Sequence, residues 1–355
     1  MPYTMQPGRR CILSKWLNNN IVKRIIIFLL VILAASACSK EGNTPSIPPV
    51  KQCNDRLYAS PLPADTCLYF PDGPVLYFYH RVGLGYALIG RNPEHSDEWI
   101  YLINREEGST GNEGSEIWKV DTCSGRKQKL TDHAYIQPKL NQNGWILFMN
   151  RQDGLLYKVN TQGDSLAVVS QEVNNITFDW CLNGEAFFYR ARFKDMAYLV
   201  DINGSVLDSF AMDCHAIAGR GNRIALSLYN NTTFNHTRIA ILNLTDRTLT
   251  EVVEVGGTDI QEPLALAWES DNTLIWAISR GLYRLHVSTG VIEPIKETCE
   301  NVFYYYPVVE RGASPWLILG KRDYSWPVLA NIDFTTNMVL YNTDTGEEWK
   351  LDLDQ

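Results

Sequence analysis

The stretch Trp145–Asp164, WILFMNRQDGLLYKVNTQGD, contains two short apolar runs separated by turn residues. Trp145–Asn150 and Leu155–Asn160 are rich in aromatic and aliphatic residues, and each is followed by a polar segment that contains a glycine. Short apolar runs bounded by Asn, Asp and Gly are typical of β-strands joined by tight turns. The stretch therefore predicts two consecutive strands and the turn into a third.

Runs similar to the second of these occur six times along the chain, the second run itself included. Five copies end in Asp or Asn, the other ends in His286, and a glycine follows five of the six within four residues. The copies are Glu116–Asp121, Leu155–Asn160, Met196–Asp201, Arg238–Asn243, Gly281–His286 and Asn337–Asn342. A period near 40 residues with short strands and no helical periodicity predicts an all-β fold, a six-bladed β-propeller of four-stranded antiparallel blades. Because no blade can bury both faces alone, stacked neighbours form the core.

Segments before the second strand of several blades carry another pattern. Three of them are Leu140–Gly144 (LNQNG), Trp180–Gly184 (WCLNG) and Trp268–Asn272 (WESDN). These segments resemble the W-S-P-D-G turn of TolB-like, WD40-like propeller repeats, although each lacks the proline. Gln128–Asp132 (QKLTD) resembles the end of such a repeat. The resemblance extends roughly from Tyr86 to Leu353 and implies the fold rather than a function.

The first 37 residues have the layout of a secretion signal. Residues 1–24 contain five cations and no acid, residues 25–35 are apolar, and Ser36 and Ala37 precede Cys38. Leu33–Cys38 (LAASAC) resembles a bacterial lipobox, which implies a lipid anchor on Cys38 and, with Ser39 next, the outer membrane. The alternative is an ordinary cleaved signal with an incidental cysteine. We therefore expect a signal peptide (1–37), a proline-containing flexible tether (38–56) and the propeller (57–355), which faces either the periplasm or the outside.

Residues 57–81 precede the first clear blade. Cys67–Phe70 (CLYF) and Val75–His80 (VLYFYH) have the composition of strands and are separated by a Pro-Asp-Gly-Pro turn. We expect this segment to add an outer strand that helps to close the ring. The alternative is that it forms part of a seventh blade.

Charge and cysteines narrow the partners and the compartment. The formal net charge is −8, and loss of the five leader cations makes the remaining chain more acidic, which argues against nucleic acid as a partner. Six cysteines follow Cys38, and disulfides are compatible with an exported protein. Cys53 and Cys67 are near in sequence and form the predicted pair, and the alternative is two unrelated thiols.

Strand alternation predicts which face of the ring binds a partner. In an antiparallel blade, connections from the second to the third strand lie on the same side as the links between blades. That side carries the long segments Arg105–Ser115, Tyr229–Thr237 and Lys321–Thr336. Long loops on one face of a rigid scaffold often carry function, and the alternative is neutral variation in loop length.

Two groups of residues on that face are candidate ligand contacts. Tyr324 and Trp326, in the predicted long loop of blade 6, are suited to stack on a sugar ring or to anchor a protein, unless they fold back onto the blade. The second group consists of His and acidic residues in the links between blades, which suit a divalent cation or cap strand ends. Its members are Asp132, His133, Asp213, His215, Asp259, Glu262 and Glu300.

No sequence motif for catalysis stands out. The chain contains no GxSxG, HExxH, Walker or GxGxxG pattern. The sequence therefore favours a lipid-anchored binding protein that presents its long-loop face to a protein or glycan partner, with no cofactor. The alternative is a metal-assisted lyase or hydrolase, with a divalent cation at the mouth of the central channel.

Overall fold

The computed structural model contains six antiparallel sheets, each built from strands that are consecutive in the chain. It describes residues 58–62, 65, 85–104, 115–135, 137–170, 177–191, 194–229, 236–256, 265–278, 281–297, 299, 302–309, 315–324 and 334–351. Each sheet is one blade, and its strands follow one another from the centre of the ring to its rim. The predicted six-bladed β-propeller is confirmed.

The blades are numbered in chain order. Blade 1 comprises β2 (Gly85–Arg91), β3 (Glu98–Asn104), β4 (Ser115–Asp121) and β5 (Lys127–Ala134). Blade 2 comprises β6 (Lys139–Leu140), β7 (Trp145–Met149), β8 (Leu156–Asn160) and β9 (Ala167–Val168). Blade 3 comprises β10 (Phe178–Cys181), β11 (Ala186–Ala191), β12 (Met196–Asp201) and β13 (Val206–Ala211).

The second half of the ring has the same organisation. Blade 4 comprises β14 (Cys214–Arg220), β15 (Arg223–Tyr229), β16 (His236–Asn243) and β17 (Leu249–Gly256). Blade 5 comprises β18 (Ala265–Trp268), β19 (Thr273–Ile278), β20 (Gly281–His286) and β21 (Val291–Glu297). Blade 6 comprises β22 (Val302–Val309), β23 (Trp316–Tyr324), β24 (Phe334–Asn342) and β25 (Glu348–Leu351), and β1 (Tyr58–Pro61) is added outside β25.

The first strands of the six blades line a central axis. Each contacts the first strand of the next blade, and β22 contacts β2, so the ring is closed. One apolar cluster fills each of the six interfaces between blades. At the interface of blades 6 and 1, for example, Trp99 and Tyr101 pack with Ile318 and Leu340. Burial between neighbours therefore supplies the core, as expected for stacked repeats.

A strand from the segment 57–81 is added to the outside of blade 6, as the sequence predicts. Strand β1 pairs with β25 in antiparallel register, and the Leu62 N–H donates to the Glu348 carbonyl at 2.8 Å. Blade 6 is therefore complete without β1, and β1 is a fifth, outermost strand. The two further predicted strands of this segment, Cys67–Phe70 and Val75–His80, lie outside the described residues.

The recurring run is the third strand of every blade, as the repeat predicts. The glycine that follows it adopts a positive φ in each of five blades, for example 93° at Gly204. In blade 4 the position is occupied by Arg247, which adopts φ 60° without being glycine. The turn geometry is therefore kept in all six blades, and in blade 4 it is kept at a conformational cost.

We call the side that carries the links between blades, and the connections from second to third strands, the upper face. The lower face carries the other two kinds of turn. Among the described residues the only helical element is a 3₁₀ turn on the lower face, Leu182–Gly184, and none of them forms a helix long and apolar enough to cross a bilayer.

Candidate functional site

The two faces differ in the length of their connections. Lower-face connections are short, and none exceeds the six residues of 92–97, 161–166 or 310–315. The upper face carries 105–114, 169–177, 257–264 and 325–333, all of which are longer. Strands β23 and β24 extend further than the sequence predicts, so the long segment of blade 6 is shorter than Lys321–Thr336. The asymmetry agrees with the predicted long loops of blades 1 and 6. The predicted long loop Tyr229–Thr237 is reduced to 230–235, no longer than the longest lower-face connection, because β15 and β16 extend into it.

Turns on the lower face are bonded to one another across blades. The Asn141 side chain donates to the Gly184 carbonyl at 3.0 Å, and Gln142 donates to the Asn183 carbonyl at 2.8 Å. Arg220 donates to Asp271 at 2.6 Å across the interface of blades 4 and 5. These polar side chains are occupied in holding neighbouring blades together, and the lower face therefore offers fewer of them to a ligand.

The tryptophans of the turn motif have a structural role. The Trp180 indole N–H donates to the Lys139 carbonyl at 2.7 Å, and that of Trp268 donates to the Ala218 carbonyl at 2.9 Å. In both cases the indole reaches the first strand of the preceding blade. The motif therefore helps to hold neighbouring blades together around the axis.

Asp132 and His133 lie at the end of β5, the outer strand of blade 1, rather than at the opening of blade 2 as predicted. The ladder of β5 with β4 continues as far as Ala134, which keeps both residues at the rim. Asp132 pairs with Lys129 at 2.8 Å. His133 adopts φ 60°, and its Nε2 lies 3.1 Å from the Gln152 side-chain nitrogen on the upper face of blade 2.

Asp213 and His215 lie where the sequence predicts, at the upper end of the first strand of blade 4. Arg190 of blade 3 pairs with Asp213 at 2.5 Å, and Thr177 donates to the His215 carbonyl at 3.2 Å. Burial raises the pKa of the intervening Cys214 thiol to about 12, so this thiol stays protonated at neutral pH. The Asp213 carboxylate is thus neutralised by Arg190, which links blades 3 and 4.

The remaining predicted contacts are not brought together by the described residues. Asp259, Glu262, Glu300 and Trp326 lie outside them, as do Cys38, Cys53 and Cys67. Tyr324 belongs to strand β23, where it pairs with Phe334, and not to a loop as predicted, because the β23–β24 ladder extends to this point. Within the described ranges no group of three His, Cys, Asp or Glu side chains could hold a metal ion.

Sequence analysis missed a buried group of charges between blades 5 and 6, which we call the closure cluster. Its members are Asp65, Lys296, Tyr304, Lys321 and Glu348. Lys321 is 2% exposed and donates to Glu348 at 2.7 Å, and the Lys296 ammonium lies 3.2 Å from Asp65. Lys321 also bonds Asp65, and Glu348 accepts from Lys296 and Tyr304.

Burial and neighbouring charges shift the pKa values of Asp65, Lys321 and Tyr304 in the closure cluster. Burial by itself raises the pKa of Asp65, but the hydrogen bond from Lys321 and the charges of both lysines lower it below its usual value. Burial opposes the charge of Lys321, yet its bonds to Asp65 and Glu348 raise its pKa. Burial and then the Glu348 charge raise the pKa of Tyr304. Each lysine contacts both carboxylates, and these contacts make the cluster a structural joint between blades.

One signal for this cluster is present in the sequence. In β23, Leu317, Leu319 and Lys321 alternate, and strand alternation places all three on the same sheet face. A charged residue on an otherwise apolar face is expected to have a buried partner. The sequence does not indicate which acid that partner is.

Four cysteines lie in the described part of the chain. Cys181 and Cys214 are free and buried at the interface of blades 3 and 4. Cys123 and Cys299 are disulfide-bonded. The predicted pair of Cys53 and Cys67 lies outside the described residues and stays a prediction.

No protein-family model matches the chain, and no curated protein matches it. Among solved structures, it is similar to the propeller domain of the Trilobed protease from Pyrococcus furiosus, with 11% identity, a TM-score of 0.48, and coverage of 76% of this chain and 99% of that chain.

A second similar structure is an acylaminoacyl peptidase in complex with a chloromethyl ketone, with 11% identity and a TM-score of 0.49. The match covers 75% of this chain and 46% of that chain, so this chain spans less than half of that enzyme. At such identities the neighbours carry no argument about activity. The sheet topology alone makes the chain a six-bladed β-propeller.

Proposed function

We propose that the protein is a lipid-anchored propeller of the cell envelope that binds a protein or glycan partner through its upper face, without catalysis. The observation that carries the proposal is the difference between the two faces. All connections longer than six residues join strands on the upper side, whereas the lower turns are short and bonded to one another. Long segments on one side of a rigid ring are the usual location of recognition residues.

Two observations support export of the chain. Cys123 and Cys299 are disulfide-bonded, and such bonds persist in oxidising compartments such as the periplasm and the cell surface. The basic and apolar leader that ends at Cys38 supplies the signal for export and for acylation. The anchor places the propeller at the outer membrane, and the tether of residues 38–56 separates the ring from the lipid surface.

Anchoring is tested by metabolic labelling with an alkyne fatty acid in a bacterial host that processes lipoproteins. The wild-type chain is expected to take up the label and to fractionate with membranes. Cys38→Ser is the matched control and is expected to remain unlabelled. A mature wild-type protein that is water-soluble, unlabelled and insensitive to globomycin would refute the lipid anchor.

The binding face is tested by photo-crosslinking in cells. A photoreactive amino acid is introduced at Gln152, an exposed upper-face residue, and separately at Asn203, an exposed residue in a lower-face turn. We expect a discrete crosslinked product from position 152 and none from position 203. The same product from both positions, or a product from position 203 alone, would contradict the assignment of the face.

The metal-assisted alternative is tested by elemental analysis of the purified protein and by its melting temperature with added Ca²⁺ or Zn²⁺. We expect no stoichiometric metal and no change in melting. A bound metal in a ratio near one per chain would instead favour the metal-assisted lyase or hydrolase. Because both functions would use the upper face, this measurement separates them where crosslinking does not.

A further inference from the structure

The outermost strand of each blade presents a row of backbone N–H and C=O groups with which another strand could pair. Five of the six edges carry a recognisable protection against such pairing. Strand β5 carries Lys127 and Lys129, β17 carries Glu251 and Glu254, and β21 carries Pro294. Strand β9 has only two residues, and β25 is covered by β1. The remaining edge is that of β13 in blade 3.

The six residues of β13 supply little protection of their own. The strand reads VLDSFA, without lysine or proline, and Val206 and Leu207 are 58% and 54% exposed. A bulge at Leu207 interrupts its pairing with β12, but Asp208–Ala211 pair regularly. An exposed apolar edge of this kind is expected to accept another strand.

A side chain of the neighbouring blade closes this edge. The Arg247 guanidinium donates to the Asp208 carboxylate at 2.9 Å and to the Ser209 carbonyl at 3.4 Å, and it lies 5.3 Å from the centre of the Phe210 ring. The Ser209 N–H donates to the same Asp208 oxygen at 2.8 Å. Both backbone groups of Ser209, in the middle of the strand, are therefore occupied by side chains and are not offered to an added strand.

Arg247 reaches this position from a turn in which arginine is strained. The corresponding residue is a glycine in the other five blades, whereas Arg247 adopts φ 60°. A side chain in this conformation clashes with its own backbone, and such outliers persist where the surrounding structure holds them for a reason. The contacts of Arg247 with the edge of β13 are the reason that the structure offers.

We propose that Arg247 closes a surface through which β13 would otherwise pair with β13 of a second copy of the chain. Charge distinguishes this edge from the others. Antiparallel self-pairing of β5 or β17 brings two like charges of each strand towards those of its copy, which is unfavourable. Strand β13 has the single charge of Asp208, so registers exist that keep the two copies of this carboxylate apart. The surface lies on the outer rim and leaves the upper face open.

Light scattering of the purified full-length protein in detergent, on a size-exclusion column, tests the proposal. We expect one mass for the wild type at every protein concentration, and a mass that rises with concentration for Arg247→Gly. Arg247→Asn should behave like Arg247→Gly, because asparagine tolerates a positive φ but has no guanidinium. A single unchanging species for both variants, or a wild type that associates as strongly as they do, would overturn the proposal.

Two further measurements locate the association. Arg247→Gly/Leu207→Lys places a lysine on the edge, as in β5, and should return the mass to that of the wild type. Amide hydrogen exchange across Val206–Ala211 should slow in associated Arg247→Gly, because outward N–H groups become bonded. Association that survives the added lysine while exchange in β13 stays fast would show that another surface is responsible.

The urea midpoint separates edge closure from an effect on folding. Arg247→Gly relieves the strained turn and loses an ion pair in which the arginine is 59% exposed. Its midpoint in dilute solution should therefore equal or exceed that of the wild type. A midpoint clearly below the wild-type value would mean that Arg247 stabilises the turn itself, and association of a partly unfolded chain would then replace the proposed pairing.

Discussion

Replacement of Lys321 by Met tests whether the closure cluster holds blades 5 and 6 together. Methionine has a similar length and fills the same space, so the change removes mainly the charge and the hydrogen bonds. Lys321 is 2% exposed, and its ammonium bonds both Asp65 and Glu348. After the substitution only Lys296 remains to compensate two carboxylates.

The expected cost follows from burial. Removal of one partner of a buried ion pair typically costs about 3–5 kcal/mol, because the remaining charge is left uncompensated away from water. Neutralising Glu348 as well should recover part of this cost, since Asp65 and Lys296 then form a balanced pair. The double variant Lys321→Met/Glu348→Gln is therefore expected to be more stable than the sum of the two single effects, by about 0.5–3 kcal/mol.

Urea unfolding followed by tryptophan fluorescence measures these differences. Lys129→Met is the matched control, because Lys129 forms an ion pair of 2.8 Å with Asp132 in which both side chains are more than 40% exposed. We expect the control to unfold at nearly the wild-type urea concentration. An equal midpoint for Lys321→Met and Lys129→Met would refute the role of the closure cluster, and strict additivity in the double variant would refute the coupling of its charges.

Three further expectations concern pH and the backbone. The stability difference between wild type and Lys321→Met should be constant near neutral pH. The difference should shrink below about pH 4, because Asp65, whose pKa is lowered, then becomes protonated. It should also shrink at high pH, because Lys321, whose pKa is raised, then loses its proton. A difference that urea titrations find unchanged at acidic pH would contradict this. Gly204→Val should cost roughly 1–3 kcal/mol in the same assay and preserve the crosslink from position 152, because φ is 93° and a Cβ would lie 3.3 Å from the Val169 carbonyl oxygen. Gly219→Ala should cost more than about 4 kcal/mol, because its Cβ would lie 1.8 Å from the Trp180 carbonyl oxygen. Gly221→Ala has open space around it and only the strain of its φ of 56°, so it should cost about 1–2 kcal/mol. Equal costs would show that blades 3 and 4 separate easily.

The repeat made the architecture predictable, because its signals are local. A run such as Met196–Asp201 followed by Gly204 specifies a strand and a turn without reference to the rest of the chain. Six such units at a period near 40 residues then leave few arrangements in which all strands are buried. The predicted outer strand before blade 1 was also found, as β1.

The candidate site was less predictable, because it depends on where each strand stops. Asp132 and His133 were expected at the opening of blade 2, but the pairing of β5 with β4 continues to Ala134 and keeps them at the rim. Tyr324 was expected in a loop and lies in a strand for the same reason. The closure cluster joins residues as distant in sequence as Asp65 and Lys321, and no local pattern specifies such a pairing.

The pairing of β1 with β25 has a consequence for the order of folding. Every blade is one continuous piece of chain, so each sheet can form as its segment emerges during synthesis or export. Contacts within a blade are short in sequence and form quickly, but β1 must wait for the last strand. Until Glu348–Leu351 arrives, β1 lacks the strand with which it pairs, and the interface of blades 6 and 1 lacks Trp349 and Leu351. A chain that loses these few residues would therefore leave β1 and the outer edge of β24 unpaired and part of that interface exposed, and such surfaces favour aggregation.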